Sequence, residues 1–456
     1  MNPCKLSISI ALTSLILIGC TSERSQDGAL DQGADGSSQN WPQWRGSNGN
    51  SVSWDDGVPL VWDESKNIVW TCQVDGWGNS TPAVWNDGVY VTSQAGESLL
   101  LHRVDSASGA VVWTKQVGSG SIEFVDPHIK SADERRQQKF SADQNMATPS
   151  PVTDGKHIVV QFGNGDLASY SPDGQLEWKR NLQEDQGAYT IWWGNANSPV
   201  LFEDRVITVC MQDSLADLKG ELSQSYVIAH DTSTGDEIWK TMRMTGAHSE
   251  PCDAYTTPLL RQGNGGWELI VMGGTQLDAY DPTTGKQLWR LRNLGGGRTI
   301  TSPTVAGNMV YSTVGMKGPL FAIRLGSRGE IGHDAVVWAH KKGTPDIPCP
   351  VVWNDLLFIV SDNGIAKCFD RHTGGILWTQ RLSGGYRASP VAVAGRIYFL
   401  NRQGLCTVVE ASSEFKKLSE NKVSDVFFAS PAISNGRLFL RGKKSLYCVA
   451  GRAGQS

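Results

Sequence analysis

Apolar residues along this chain come in short runs, typically opened by Pro and interrupted by Gly, Asn or Asp. One phrase recurs: a Pro, an apolar pair, a turn, then a β-branched and aromatic run. It reads "STPAVWNDGVYV" at Pro82, "PSPVTDGKHIVV" at Pro151, "NSPVLFEDRVIT" at Pro199 and "TTPLLRQGNGGWELIV" at Pro258. It returns as "TSPTVAGNMVYS" at Pro303, "PCPVVWNDLLFIV" at Pro350, "ASPVAVAGRIYFL" at Pro390 and "ASPAISNGRLFL" at Pro431. Pro suits the first residue of a strand, where its missing N–H costs no ladder bond, and the Gly, Asn or Asp makes a hairpin. A third run ends in Asp and Thr-Gly, as in "YVIAHDTSTGDEIW" and "IAKCFDRHTGGILW", which suits a side-chain-capped turn with positive φ. The last four prolines are 47, 40 and 41 residues apart, the period of a propeller blade, and the earlier units carry insertions.

A Trp closes each fourth strand: Trp113, Trp178, Trp239, Trp289, Trp338 and Trp378, with Phe415 standing in for the seventh unit. The eighth unit runs out of chain after "RLFLRGKKSLYCVAG". Its fourth strand is read as "KNIVWTCQV", whose Trp70 precedes Pro82 by 12 residues, the gap from Trp338 to Pro350 and from Trp378 to Pro390. The pattern predicts an all-β, eight-bladed β-propeller of four-stranded antiparallel blades over residues 41–456, closed by the N-terminal strand completing the last blade. Such closure removes open sheet edges. Small residues recur two before the turn Asp (Ala229, Ala279, Ala322, Cys368, Cys448), where blades pack closely; Arg103, Ser169 and Val408 break that rule. The tryptophans, Trp70 included, are read as packing wedges.

Lys5 and the apolar "SISIALTSLILI" form an export leader too short to span a membrane comfortably. "LIGC" at Leu17–Cys20 resembles a bacterial lipobox, so residues 1–20 are read as a lipoprotein-type signal peptide with Cys20 as the lipidated residue. Residues 21–40 read as a disordered polar tether. The expectation is an exported lipoprotein anchored through its N-terminal lipid and facing the periplasm, with the outer membrane favoured because no Asp follows Cys20. The net charge of −5 argues against nucleic acid. Beyond Cys4 and Cys20, seven cysteines remain, an odd number without a CxxC or an adjacent pair, which argues against a disulfide framework or zinc site.

These units resemble the pyrroloquinoline-quinone-type propeller repeat, shared by quinoprotein alcohol dehydrogenases and the outer-membrane assembly lipoprotein BamB. "NWPQWRGSNGNSV" at Asn40–Val52 resembles the opening of a planctomycete-type subgroup of secreted, BamB-like propellers. The resemblance implies the fold; one fold hosts many functions. It implies a quinone only where an adjacent Cys pair, a stacking Trp and a Glu/Asn/Asp calcium set accompany it. The Cys pair is missing and no such set is placed, so no cofactor, no metal and no catalytic residue is expected.

The connections from each fourth strand to the next unit cross one face. Three are long: Gly118–Thr148, with a helix expected near Ala132–Phe140; Gln183–Asn197; and Arg243–Thr257. With the shorter ones they nominate a partner- or ligand-binding rim of Trp77, Tyr189, Trp192, Trp193, His248, Asp253, Tyr255, Arg298, Asp346, Tyr386, Arg387 and Phe427, since aromatics with Arg and Asp mark recognition surfaces. His248, Glu250, Cys252 and Asp253 match no metal spacing; "GGGR" at Gly295–Arg298 lies between strands and is a turn, not a phosphate loop. Leu215, Leu218 and Leu222 recur at helical spacing in the Gln212–Ser225 insertion. The function read from these features is a non-catalytic cell-envelope scaffold binding a protein or peptide, with a possible role in outer-membrane protein assembly. The alternative is a periplasmic quinoprotein oxidoreductase, with pyrroloquinoline quinone and calcium, or another channel-face enzyme.

Overall fold

The structure is a computed structural model that describes Met1 and residues 39–122, 142–191, 193–211, 225–315 and 318–451. The leader with Cys20, the helix expected near Ala132–Phe140, nearly all of the Gln212–Ser225 insertion and Trp192 lie outside the described residues. No helix among the described residues is long and apolar enough to cross a membrane.

Eight sheets form the body, each with four consecutive antiparallel strands, at 83–119, 152–181, 200–242, 259–291, 304–340, 351–381, 391–422 and 432–450. We number these blades 1 to 8. The last has three strands of its own and takes Ile68–Cys72 as its fourth, with Trp70 opposite Cys448. The seal expected around Trp70 is present. First strands touch around the axis between most neighbouring blades, including blade 8 against blade 1.

The residue before each inner-strand proline explains how the ring holds. The Thr81 N–H donates to Ser150 Oγ at 2.9 Å, Ser150 N–H to Ser198 Oγ at 2.9 Å, and Ser198 N–H to Thr257 Oγ1 at 3.1 Å. The series continues through Ser302, Cys349 and Ser389 to Ser430, whose N–H returns to Thr81 Oγ1 at 3.2 Å. Pro holds its predecessor in extended backbone, so the predecessor's N–H and short side chain are fixed for this relay. In blade 6 the Cys349 sulfur is the acceptor, at 3.2 Å from the Ser302 nitrogen. Eight such bonds, at about 0.5–1.5 kcal/mol net each, make a closed belt.

The wedges work between blades. Trp70, Ala229–Trp239, Cys368–Trp378 and their equivalents show each wedge directly opposite the small residue of strand three. Its indole N–H crosses to a backbone carbonyl of the next blade: Trp70 to Ser106, Trp178 to Thr232, Trp338 to Arg371. The turn glycine there lies against the ring. A Cβ on Gly235 would come within 2.6 Å of Trp178, so φ of 73° and the wedge both require glycine. Arg103, an exception to the small-residue rule, still sits opposite Trp113.

Phe415 does not replace the seventh wedge. Ser419 occupies that register, opposite Val408, while Phe415 precedes the strand and packs edge-on against Trp378, ring centroids 5.3 Å apart. The wedge arrives from elsewhere in the chain. Trp62, 1% exposed, stacks on Tyr398 of blade 7 at 6.1 Å, and its backbone N–H donates to Asn421 Oδ1. Ser419 Oγ and Asn421 Nδ2 in turn donate to the Leu60 carbonyl. A short residue in the strand leaves the slot that the N-terminal segment fills.

Candidate functional site

In an antiparallel blade the strand 2–3 hairpins and the connections to the next blade leave from one end, and the strand 1–2 turns from the other. The end with the 1–2 turns is closed by residues 39–58. Trp41, buried, exchanges backbone hydrogen bonds with Val84 of blade 1. Pro42 O accepts from Thr153 N of blade 2, and Val52–Ser53 pairs in parallel with the inner strand of blade 7. Asp55 accepts from Gly436 N of blade 8, and Ser434 Oγ donates to Gln39 O. Arg45 reaches inward: its guanidinium donates to the carbonyls of Pro303 and Pro350 at 2.9 and 3.0 Å, and its Nε to Ser51 Oγ. Burial pulls the Arg45 pKa down, yet all three nitrogens are engaged.

The opposite mouth carries the long connections and is tied by side chains. Arg298 donates to Glu250 Oε1 at 2.7 Å and to Asp346 Oδ2 at 3.0 Å. Burial draws its pKa down, but Asp346 and Glu250 outweigh it and hold the guanidinium above its ordinary value. The Asp346 N–H donates to Asp362 Oδ2 at 2.7 Å, and Asp362 lies 3.5 Å from Arg387. Burial, with Asp346 nearby, raises the Asp362 carboxyl. Asp143, from the connection between blades 1 and 2, meets Arg402 of blade 7 at 2.5 Å and Arg387 at 3.9 Å. Alternating charge therefore links connections from widely separated blades across the mouth.

The structure separates the rim residues expected from sequence into two layers. Tyr386, Phe427 and Asp253 are essentially inaccessible, and Tyr189 and Tyr255 are buried, so these five support the surface from below. Burial drives the Tyr189 and Tyr255 hydroxyls well above the usual range. Trp77, Trp193, Arg298, Asp346 and Arg387 are half-buried, and His248 is exposed. Lys443 lies over the Trp77 ring at 4.3 Å, and Gln144 Nε2 donates to Trp193 O. A one-turn helix, Leu182–Gln186, capped by the Asn181 side chain, enters the connection that carries Tyr189 and Trp193. Sequence reading missed Asp143, Asp362 and Arg402. Asp362 reads as a hairpin residue in "SDNG", and Asp143 finds its partners about half the chain away.

The carboxylates at the mouth are held by guanidinium groups rather than converging on a common point. Among the described residues no group of three or more His, Cys, Asp or Glu side chains is placed to hold a metal ion. The seven described cysteines are all buried and separate.

A profile of the family described as outer membrane protein assembly factor BamB matches residues 29–219, 223–323 and 329–418. Among solved structures, BamB from Moraxella catarrhalis is 15% identical, covering 84% of this chain and 99% of its own, with a TM-score of 0.59. The quinohemoprotein alcohol dehydrogenase from Comamonas testosteroni is 13% identical over 92% of this chain and 82% of its own, with a TM-score of 0.61. A europium-containing methanol dehydrogenase is 11% identical over 88% and 89%, with a TM-score of 0.60. At these identities the structures speak for the fold alone. No curated protein matches the chain.

Proposed function

The chain belongs to the outer membrane protein assembly factor BamB family, and from that premise we propose that it is a non-catalytic envelope scaffold that binds a protein partner of the outer-membrane assembly machinery. The binding face in this reading is the mouth where Trp77, Trp193 and the Glu250–Arg298–Asp346 chain lie together. One observation carries it: the two ends of the channel are unlike. Gln39 joins blade 8 at the plugged end, so a tether from a lipidated Cys20 would meet the wheel there and leave the loop-bearing mouth free for a partner.

The described residues do not fit a quinone with its calcium. Calcium takes six to eight oxygen ligands, whereas Glu250, Asp346, Asp362 and Asp143 are each committed to an arginine. No adjacent cysteine pair exists in the sequence. The reading therefore assigns no redox step.

Its test uses the lipidated full-length protein, crosslinked in intact cells and captured for identification of outer-membrane assembly components. A Trp77→Ala, Trp193→Ala double variant is expected to lose at least about tenfold of that capture (~1.4 kcal/mol) with an unchanged melt. Undiminished capture discards the mouth as the docking face. Quinone- and calcium-dependent dye reduction by the reconstituted protein favours the oxidoreductase instead.

A further inference from the structure

Among the described residues three arginines are only 1% exposed: Arg45, Arg243 and Arg441. Two are saturated by protein. Arg45 holds two proline carbonyls and Ser51, and Arg243 holds Asp278 Oδ1 at 3.1 Å and Gln276 O at 3.0 Å. Arg441, 1% exposed, has no hydrogen-bond partner on any of its three nitrogens among the described residues. Leaving a buried charge uncompensated costs several kcal/mol, so this exception calls for a physical account.

Its position is informative. Phe439 and Arg441 point to the same side of blade 8 as Cys448 and Trp70, the side that Trp70 uses to pack on Gly109 of blade 1. Arg441 thus lies in the seam where the last blade meets the first. The equivalent register holds Val209, Met272, Val360 and Leu400 in four blades and the uncharged Thr92, Gln161 and Thr313 in the other three. A guanidinium replaces what is elsewhere a neutral filler.

The polar groups around it are engaged with other partners. Ser93 Oγ donates to Asp75 O and therefore accepts from His102 Nε2 at 2.7 Å, while His102 Nδ1 accepts from Thr114 Oγ1 at 2.9 Å. The imidazole is neutral with both nitrogens used; burial first, then the field of Arg441, lowers its pKa to about 4. The Cys72 thiol donates to its neighbour's carbonyl. Asp425 lies close enough to act on Arg441 through its field, but its oxygens receive the N–H groups of Val426, Lys444 and Ser445 and the Tyr447 hydroxyl. Lys443 stays outside, exposed over Trp77.

We propose that the seam between blades 8 and 1 is a binding site for one small monovalent anion of chloride size, held by the Arg441 guanidinium. Asp425 acts on the guanidinium only through its field, so the guanidinium N–H donors are left for one small monovalent anion, and no second buried cation lies in this seam among the described residues to balance a phosphate dianion. An anion there joins the two blades at the point where the ring closes, so closure responds to the ionic composition of the medium.

The experiment follows melting of the full-length protein as chloride replaces gluconate at constant ionic strength. The wild type is expected to gain about 2–4 °C, and Arg441→Met, which removes the charge and keeps an unbranched chain, to show no chloride response. Equal responses in the two overturn the site. Should the variant fail to fold, wild-type crystals soaked in bromide decide. An anomalous peak against the guanidinium supports the site; water alone there, or Asp425 paired directly with Arg441, refutes it.

Discussion

The two ends of the channel are made of different material. At the plugged end a single continuous segment, residues 39–58, lies against blades 1, 2, 5, 6, 7 and 8 through backbone pairing, the buried Trp41 and the Arg45 guanidinium on main-chain carbonyls. At the mouth, separate connections are joined by half-buried ion pairs among Arg298, Asp346, Asp362, Arg387, Asp143 and Arg402. Main-chain carbonyls keep their positions and desolvated donors bind them firmly. Half-exposed ion pairs are screened and individually weak. The first end is suited to stability and the second to rearrangement around a partner.

That contrast breaks most readily at the plug. Trp41→Ala is expected to cost about 3–5 kcal/mol in urea denaturation. Arg45→Met, which strips donors from two buried carbonyls, is expected to cost about 2–4 kcal/mol. A loss under 1 kcal/mol at both positions would mean that the segment covers the channel without bracing it.

Acid should act on the body between the ends. His102 and His230 are held at about 4 by burial, assisted by Arg441 and Arg180 respectively. The unfolded chain binds their protons near pH 6.5, so stability is full above that value and falls as pH drops toward 4. The loss is on the order of 2–3 kcal/mol per histidine. Melts across that range should steepen for the wild type and flatten for His102→Gln. Asp362 works in the opposite sense: its raised pKa favours the folded state as pH falls through its titration.

Smaller effects sharpen the comparison. Ser389→Ala removes one bond of the belt and is expected to cost about 1 kcal/mol, whereas Cys349→Ser keeps an acceptor and should be near neutral by the same melt. Asp143→Asn at the mouth is expected to change stability by less than about 1 kcal/mol. Its signature is instead a weaker dependence of partner capture on salt.

The repeat made much of this legible in advance. Pro82 through Pro431 marked eight inner strands, the Trp spacing placed Ile68–Cys72 in blade 8, and the small residues fell opposite the wedges. Phe415 was misread because an aromatic near the right place in sequence looks like a wedge, while the wedge itself, Trp62, lies outside the repeat and reaches Tyr398 only after folding. The Ser, Thr and Cys before the eight prolines were in plain view, but an acceptor in the following blade exists only once the sheets stand side by side.

Local chemistry is periodic in this chain, and so the strands, turns and wedge positions follow from residues near one another in sequence. Partners far apart along the chain do not. Asp143 with Arg402, Arg45 with Pro350 and Ser430 with Thr81 meet because closing the wheel brings its two ends together. Tertiary structure alone decided which end is braced, which is joined by exchangeable charge, and which buried arginine has no hydrogen-bond partner among the described residues.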